Sequence, residues 1–241
     1  MLKPTNLTTL EIFLLIFTAT LIASGVVIAN IDINWYENVY AVEDGFVENW
    51  TIVPLLGAVG YSLYLFFTVS RDKTWHFRSV LVLIAVFSLF VAGEEISWGQ
   101  RLFNVESPEF FKDNNAQGET NLHNMVVSGK KVNKIIFSQL LTVVLGVYLL
   151  VFPILYRKKH GFKKLIDRFG IPIAQPYQII ACLLLFMSIL LIPSGKNAEV
   201  LEAGITTLFL LIFLFPRNIH IYKRKRGNKN APIYNIMPNH E

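Results

Sequence analysis

The sequence predicts an all-α fold: a polytopic transmembrane helix bundle of about six spans, with both termini in the cytoplasm. Three observations predict it. Hydrophobic residues make up 53% of the chain and charged residues only 16%, against roughly 45–50% and 25% in soluble domains. The apolar residues fall into long blocks, and about 20 such residues cross the hydrocarbon core as a helix. Lys and Arg concentrate in alternate connecting segments, which keeps those segments cytoplasmic.

The blocks cover about 10–30, 51–70, 79–98, 135–156, 178–193 and 197–216. They leave residues 1–230 as a single transmembrane domain, 99–134 as an outer loop with short helices and 217–241 as a basic cytoplasmic tail. The first block carries the small residues Val27 and Ala29 at a spacing that a signal peptidase accepts. It is longer than a usual leader and only Lys3 precedes it, which favours a span. The fifth block is short and must tilt little or thin the bilayer. Three segments are basic: Arg71, Lys73 and Arg78; Arg157 to Arg168; and Arg217 to Lys229. Most of the 17 Asp and Glu lie in the other loops, so the outer face is acidic.

Phe162, Leu165, Ile166 and Phe169 recur at helical spacing between Lys163, Lys164 and Arg168. This predicts an amphipathic helix in the inner headgroup layer, ended by Gly170 and Pro172, with anionic lipid as its partner. Lys223-Arg224-Lys225-Arg226 reads as a topology anchor, and no nucleic-acid partner is expected. The single cysteine, Cys182, lies in an apolar block and excludes a disulfide framework.

The third block ends in Gly93-Glu94-Glu95-Ile96-Ser97-Trp98-Gly99-Gln100-Arg101. From Ser79 to Gly93 a helix climbs only about 23 Å of a core roughly 30 Å thick. The Glu pair is therefore expected just below the outer boundary, with Glu202 of the sixth block at a similar depth. Carboxylates there are expensive and turn into the bundle to meet a partner. On a continuous helix Glu94, Ser97, Trp98 and Arg101 share a face, and Glu95 points about 100° away. Asp44 is expected to cap the second helix, with Glu48 one turn later. Ser107-Pro108-Glu109 reads as another helix start, with Ser as cap. Gln117-Gly118-Glu119-Thr120-Asn121-Leu122-His123-Asn124 carries His123, the only His on the outer side.

These residues suggest a site in which Glu94, Glu95, His123 and Arg101 are catalytic. A divalent metal is the candidate cofactor, with Glu94, Glu95, His123, Glu202 and Glu48 as its candidate ligands. Arg101 would clamp a phosphate or carboxylate. No His-Glu-x-x-His, P-loop, dinucleotide or Gly-x-Ser-x-Gly motif is present. The expectation is a metal-dependent or acid/base enzyme acting at the outer leaflet on a lipid or lipid-linked substrate. The alternative, equally open on whether the chain is an enzyme, is a non-catalytic sensor or assembly subunit. A transporter ranks lower, because the midplane holds only Ser88, Ser188, Thr206 and Thr207.

The segments Gly93–Arg101 and Gln117–Asn124 resemble a pattern in uncharacterised bacterial polytopic membrane proteins. The resemblance covers the third span and the loop after it. It implies only that the two segments belong together, and it brings no activity; separately, the expected location is the bacterial inner membrane. The layout is also similar to intramembrane hydrolases of the alkaline ceramidase type. Those enzymes use several His ligands from their spans, and no span here contains a His.

Overall fold

The computed structural model describes residues 7–122, 124–127, 130–131 and 141–223, with backbone alone at 101, 102, 127, 130, 131 and 141. The described chain is overwhelmingly helical. Four helices are long and apolar enough to cross a membrane: α1 (Thr9–Ile31), α3 (Phe46–Thr68), α4 (Trp75–Glu95) and α11 (Asn197–Leu214). A fifth apolar helix, α10 (Pro176–Ile189), is shorter. The fourth expected span begins outside the described residues. From residue 141 it runs as α7 (Leu141–Gly146), a π turn (Val147–Val151) and α8 (Phe152–Lys158). Pro153 brings no N–H to the helical ladder, and the bond of Phe152 N–H to the Val147 carbonyl widens that turn.

α11 is the central helix. Half of its apolar window is buried in protein (50%), against 28% for α1, α3 and α4. It packs on α1, α3 and α10, and α3 also packs along α4. Leu208, Leu211 and Ile212 fill the core with Leu14, Leu21, Cys182 and Leu185. Gly204 is what lets Leu185 approach, since a Cβ there would stand 2.8 Å from its side chain. A second cluster joins Leu65, Phe77, Leu81, Phe213 and Tyr222. The outward faces of α1, α3, α4 and α10 expose Phe13, Phe67, Leu83 and Met187, as lipid-facing surfaces do.

Short elements close both ends. Beyond α1 lie α2 (Ile33–Trp35) and a π turn (Tyr36–Tyr40). The loop after α4 holds α5 (Gln100–Phe103), α6 (Glu109–Asn114) and the ladder of β1 (Val126–Val127) with β2 (Lys130–Lys131). At the opposite end α9 (His160–Phe169) is the expected amphipathic helix. Its cap Gly170 has φ +69°, and a side chain there would run into the Phe77 ring. Asn218, fully buried, ties this end together: it accepts from Ile173 N–H at 3.0 Å and donates to the Ile171 carbonyl at 2.9 Å. A buried acid that sequence reasoning passed over, Glu11, forms a capping box with Thr8 and accepts from the Tyr177 hydroxyl. The basic tail is described only to Lys223; residues 224–241 lie outside the described set.

Two cap assignments need correction. Gly45, not Asp44, is the N-cap of α3; Asp44 sits at φ 62° and gives its N–H to Glu48 at 2.5 Å. Pro108, not Ser107, precedes α6, because the Ser107 hydroxyl is taken by Gln100 Nε2 at 2.6 Å.

Candidate functional site

The C-terminal end of α4 divides into two neighbourhoods. Helix α4 stops at Glu95 because the next turn is left-handed: Ser97, Trp98 and Gly99 have φ of 46°, 54° and 75°. Each of the two non-glycine residues costs about 1–2 kcal/mol in that region. The contacts that offset this cost come from the side chains themselves. The Trp98 ring folds back onto Gly93, where a Cβ would stand 2.8 Å from it, and meets Phe90 edge-on at 5.7 Å. Its indole N–H donates to Glu94 at 2.8 Å. Ser97, fully buried, donates to Glu119 and accepts from Asn121 Nδ2 at 2.8 Å.

The loop twenty residues on is built to meet this turn. Asn115 Nδ2 donates to the Asn121 carbonyl and side chain at 2.9 and 2.8 Å, and its oxygen accepts from Gln117 and Glu119 N–H. Gln100 receives Thr120 N–H at 2.8 Å. Glu94, only 4% exposed, accepts Leu122 N–H at 2.5 Å. The segments Gly93–Gln100 and Gln117–Leu122 thus form one hydrogen-bonded clasp, in which Glu94 is a buried acceptor.

The helical face expected of Glu94, Ser97, Trp98 and Arg101 is overturned by the left-handed turn. Trp98 and Glu94 still meet, but Arg101 belongs to a separate helix, α5. The side chain of Arg101 and the whole of His123 lie outside the described residues.

Glu95 turns to other company. Its charge interacts with those of Glu199, Glu48 and Glu94. Glu202 interacts with Glu95, Glu199 and Glu48, and Glu199 with Glu48, Glu43 and Lys196. Helix α3 starts here with Glu48, α4 ends here with Glu95, and α11 starts here with Glu199 and Glu202, so three helix ends bring four half-buried carboxylates together. Glu48 also accepts Asp44 N–H. Among the described residues, neither Glu95 nor Glu202 has a side-chain hydrogen bond. Glu199 was not among the expected site residues; its place three residues before Glu202 on one helix face was the available signal. Beside the cluster, Tyr36 donates to the Lys196 carbonyl at 3.2 Å. Burial first, then Tyr40, Glu199 and Glu37, hold its phenol above the usual range, so it stays a donor. Lys196 itself is held by the Glu37 carbonyl at 2.9 Å.

Among the described residues, no set of three or more His, Cys, Asp and Glu stands close enough to hold a metal ion. Among the described residues, two shallow open clefts of about 560 and 270 Å³ lie at the opposite end of the bundle. Compared with known protein families, with curated proteins and with solved structures, the chain finds no match.

Proposed function

We propose that the chain is a multi-pass protein of the bacterial inner membrane, with six spans and both termini cytoplasmic. Its outer end performs acid/base chemistry on a lipid or lipid-linked substrate at the outer leaflet. The observation that carries this reading is the electrostatic contact among Glu95, Glu202, Glu199 and Glu48, with no side-chain hydrogen bond to Glu95 or Glu202 among the described residues. Crowded anionic groups repel, and a proton or a cation relieves the repulsion. A set of carboxyls that shares protons donates from one member and accepts at another, which is what general acid/base catalysis requires. Glu94 positions the loop beside this set instead of reacting, and Arg101 and His123 stay candidates by their chemistry alone, an anion clamp and a proton relay.

The orientation is supported by the basic segments, and α9 by its Lys and Arg, which suit an anionic inner leaflet. A second reading, an assembly subunit, is favoured by exposed apolar groups on the outer loop. Phe103 is 77% exposed and Phe110 59%, and such side chains suit a headgroup layer or a partner surface.

The test compares whole-cell lipids from deletion cells complemented by wild type, Glu95→Gln or Glu202→Gln, at matched protein level. Accumulation of the same lipid species in both variants as in deletion cells is expected. Wild-type lipid profiles in both variants would remove the enzymatic reading and leave the assembly subunit.

A further inference from the structure

We propose that the groove between α8 and α10 is a discrete site for one anionic phospholipid of the inner leaflet, its phosphate held by Arg157 and Arg217. The groove has a volume of about 270 Å³ and is lined by Leu149, Leu150, Ile154 and Ile179, with Arg157 and Arg217. That is slightly below the roughly 300–1,000 Å³ of a small-molecule pocket, a scale suited to a segment of acyl chain lying along the surface. Its walls open outward, with Leu150 46% and Ile154 52% exposed.

The two arginines come from segments far apart in sequence, one ending the helix that begins after the outer loop and one following α11. Orientation in the membrane needs only their number on one side; it does not need them at one groove. Among the described residues, neither guanidinium has an acidic partner within salt-bridge distance. Arg presents a planar fork that matches phosphate oxygens in pairs, and two of them suit a phosphodiester better than a zwitterionic headgroup. The groove wall is also shaped for a guest. The π turn at Val147–Val151 lies beside Pro153, itself in the lining, and widens the helix there. Such turns mark functional positions more often than chance.

The site depends on the inner-end location of α8, which the orientation proposed above supplies. A cysteine placed at Lys158 and labelled with a membrane-impermeant maleimide reads that location separately, so a wrong orientation is distinguishable from a missing site. The binding test uses the full chain in mixed phosphatidylglycerol and phosphatidylcholine nanodiscs, released into native mass spectrometry. Wild type is expected to retain one phosphatidylglycerol. Arg157→Gln with Arg217→Gln is expected to reduce the retained fraction at least tenfold, and so is Ile154→Trp, which fills the groove and leaves both charges. Lys158→Gln with Lys164→Gln, exposed lysines outside the groove, is expected to retain the lipid. Equal retention of phosphatidylcholine, an unchanged adduct in the groove variants, or the same loss in the lysine variant would overturn the proposal.

Discussion

Glu94 and Glu95 are neighbours in sequence and opposites in surroundings. Glu94 is buried and accepts from the Trp98 indole and from Leu122 N–H. Glu95 faces Glu199, Glu202 and Glu48 without a side-chain hydrogen bond among the described residues. A carboxylate whose oxygens are taken by donors is a structural anchor, because removing it strands those donors. A carboxylate set among its own kind is destabilising when charged, and such an arrangement persists where it serves something other than stability. The difference separates a clasp that holds the loop after α4 from the cluster on which the proposed chemistry rests.

Substitutions that act on each side should break this contrast in order of size. Glu94→Ala takes the acceptor from two part-buried donors, the Trp98 indole and Leu122 N–H, and a loss of about 3 kcal/mol is expected, read as a lowered thermal midpoint in detergent with poor accumulation in cells. Asn121→Leu removes the donor to Ser97 and the acceptor for Asn115 and Asn124. About 2 kcal/mol should be lost, and faster proteolysis of the loop after α4 would report it. At Gly99, φ +75° with the Phe103 ring 3.1 Å from a new Cβ makes Gly99→Ala cost about 1 kcal/mol. The same denaturation assay measures that difference. Glu95→Gln should be the mildest, neutral or stabilising by a few tenths of a kcal/mol, since it removes one of the repelling charges. Were Glu95→Gln as damaging as Glu94→Ala, the two carboxylates would share one structural role and the contrast would fail.

Some of this was legible without coordinates. The helix ended by Gly170 follows from its apolar spacing and from a residue that tolerates left-handed φ. Glu202 was visible as a charge inside an apolar block, and Glu48 as an acid in the first turn of α3. The clasp was not. Ser97 and Trp98 carry no local signal for φ of 46° and 54°, and the sequence around them reads as more helix. The partners that hold Ser97 in this turn, Glu119 and Asn121, lie more than twenty residues away.

Hydropathy by itself determined that the chain forms helices long and apolar enough to cross a membrane, because the apolar content of each segment acts on that segment separately. Where α4 stops and what each of its last two carboxylates meets was decided only by the tertiary structure. Hydrogen bonds and like-charge contacts between distant segments select among backbone states that local preference leaves close in energy. The same reason puts Glu199 in the cluster: three helix ends had to converge before four acids became neighbours.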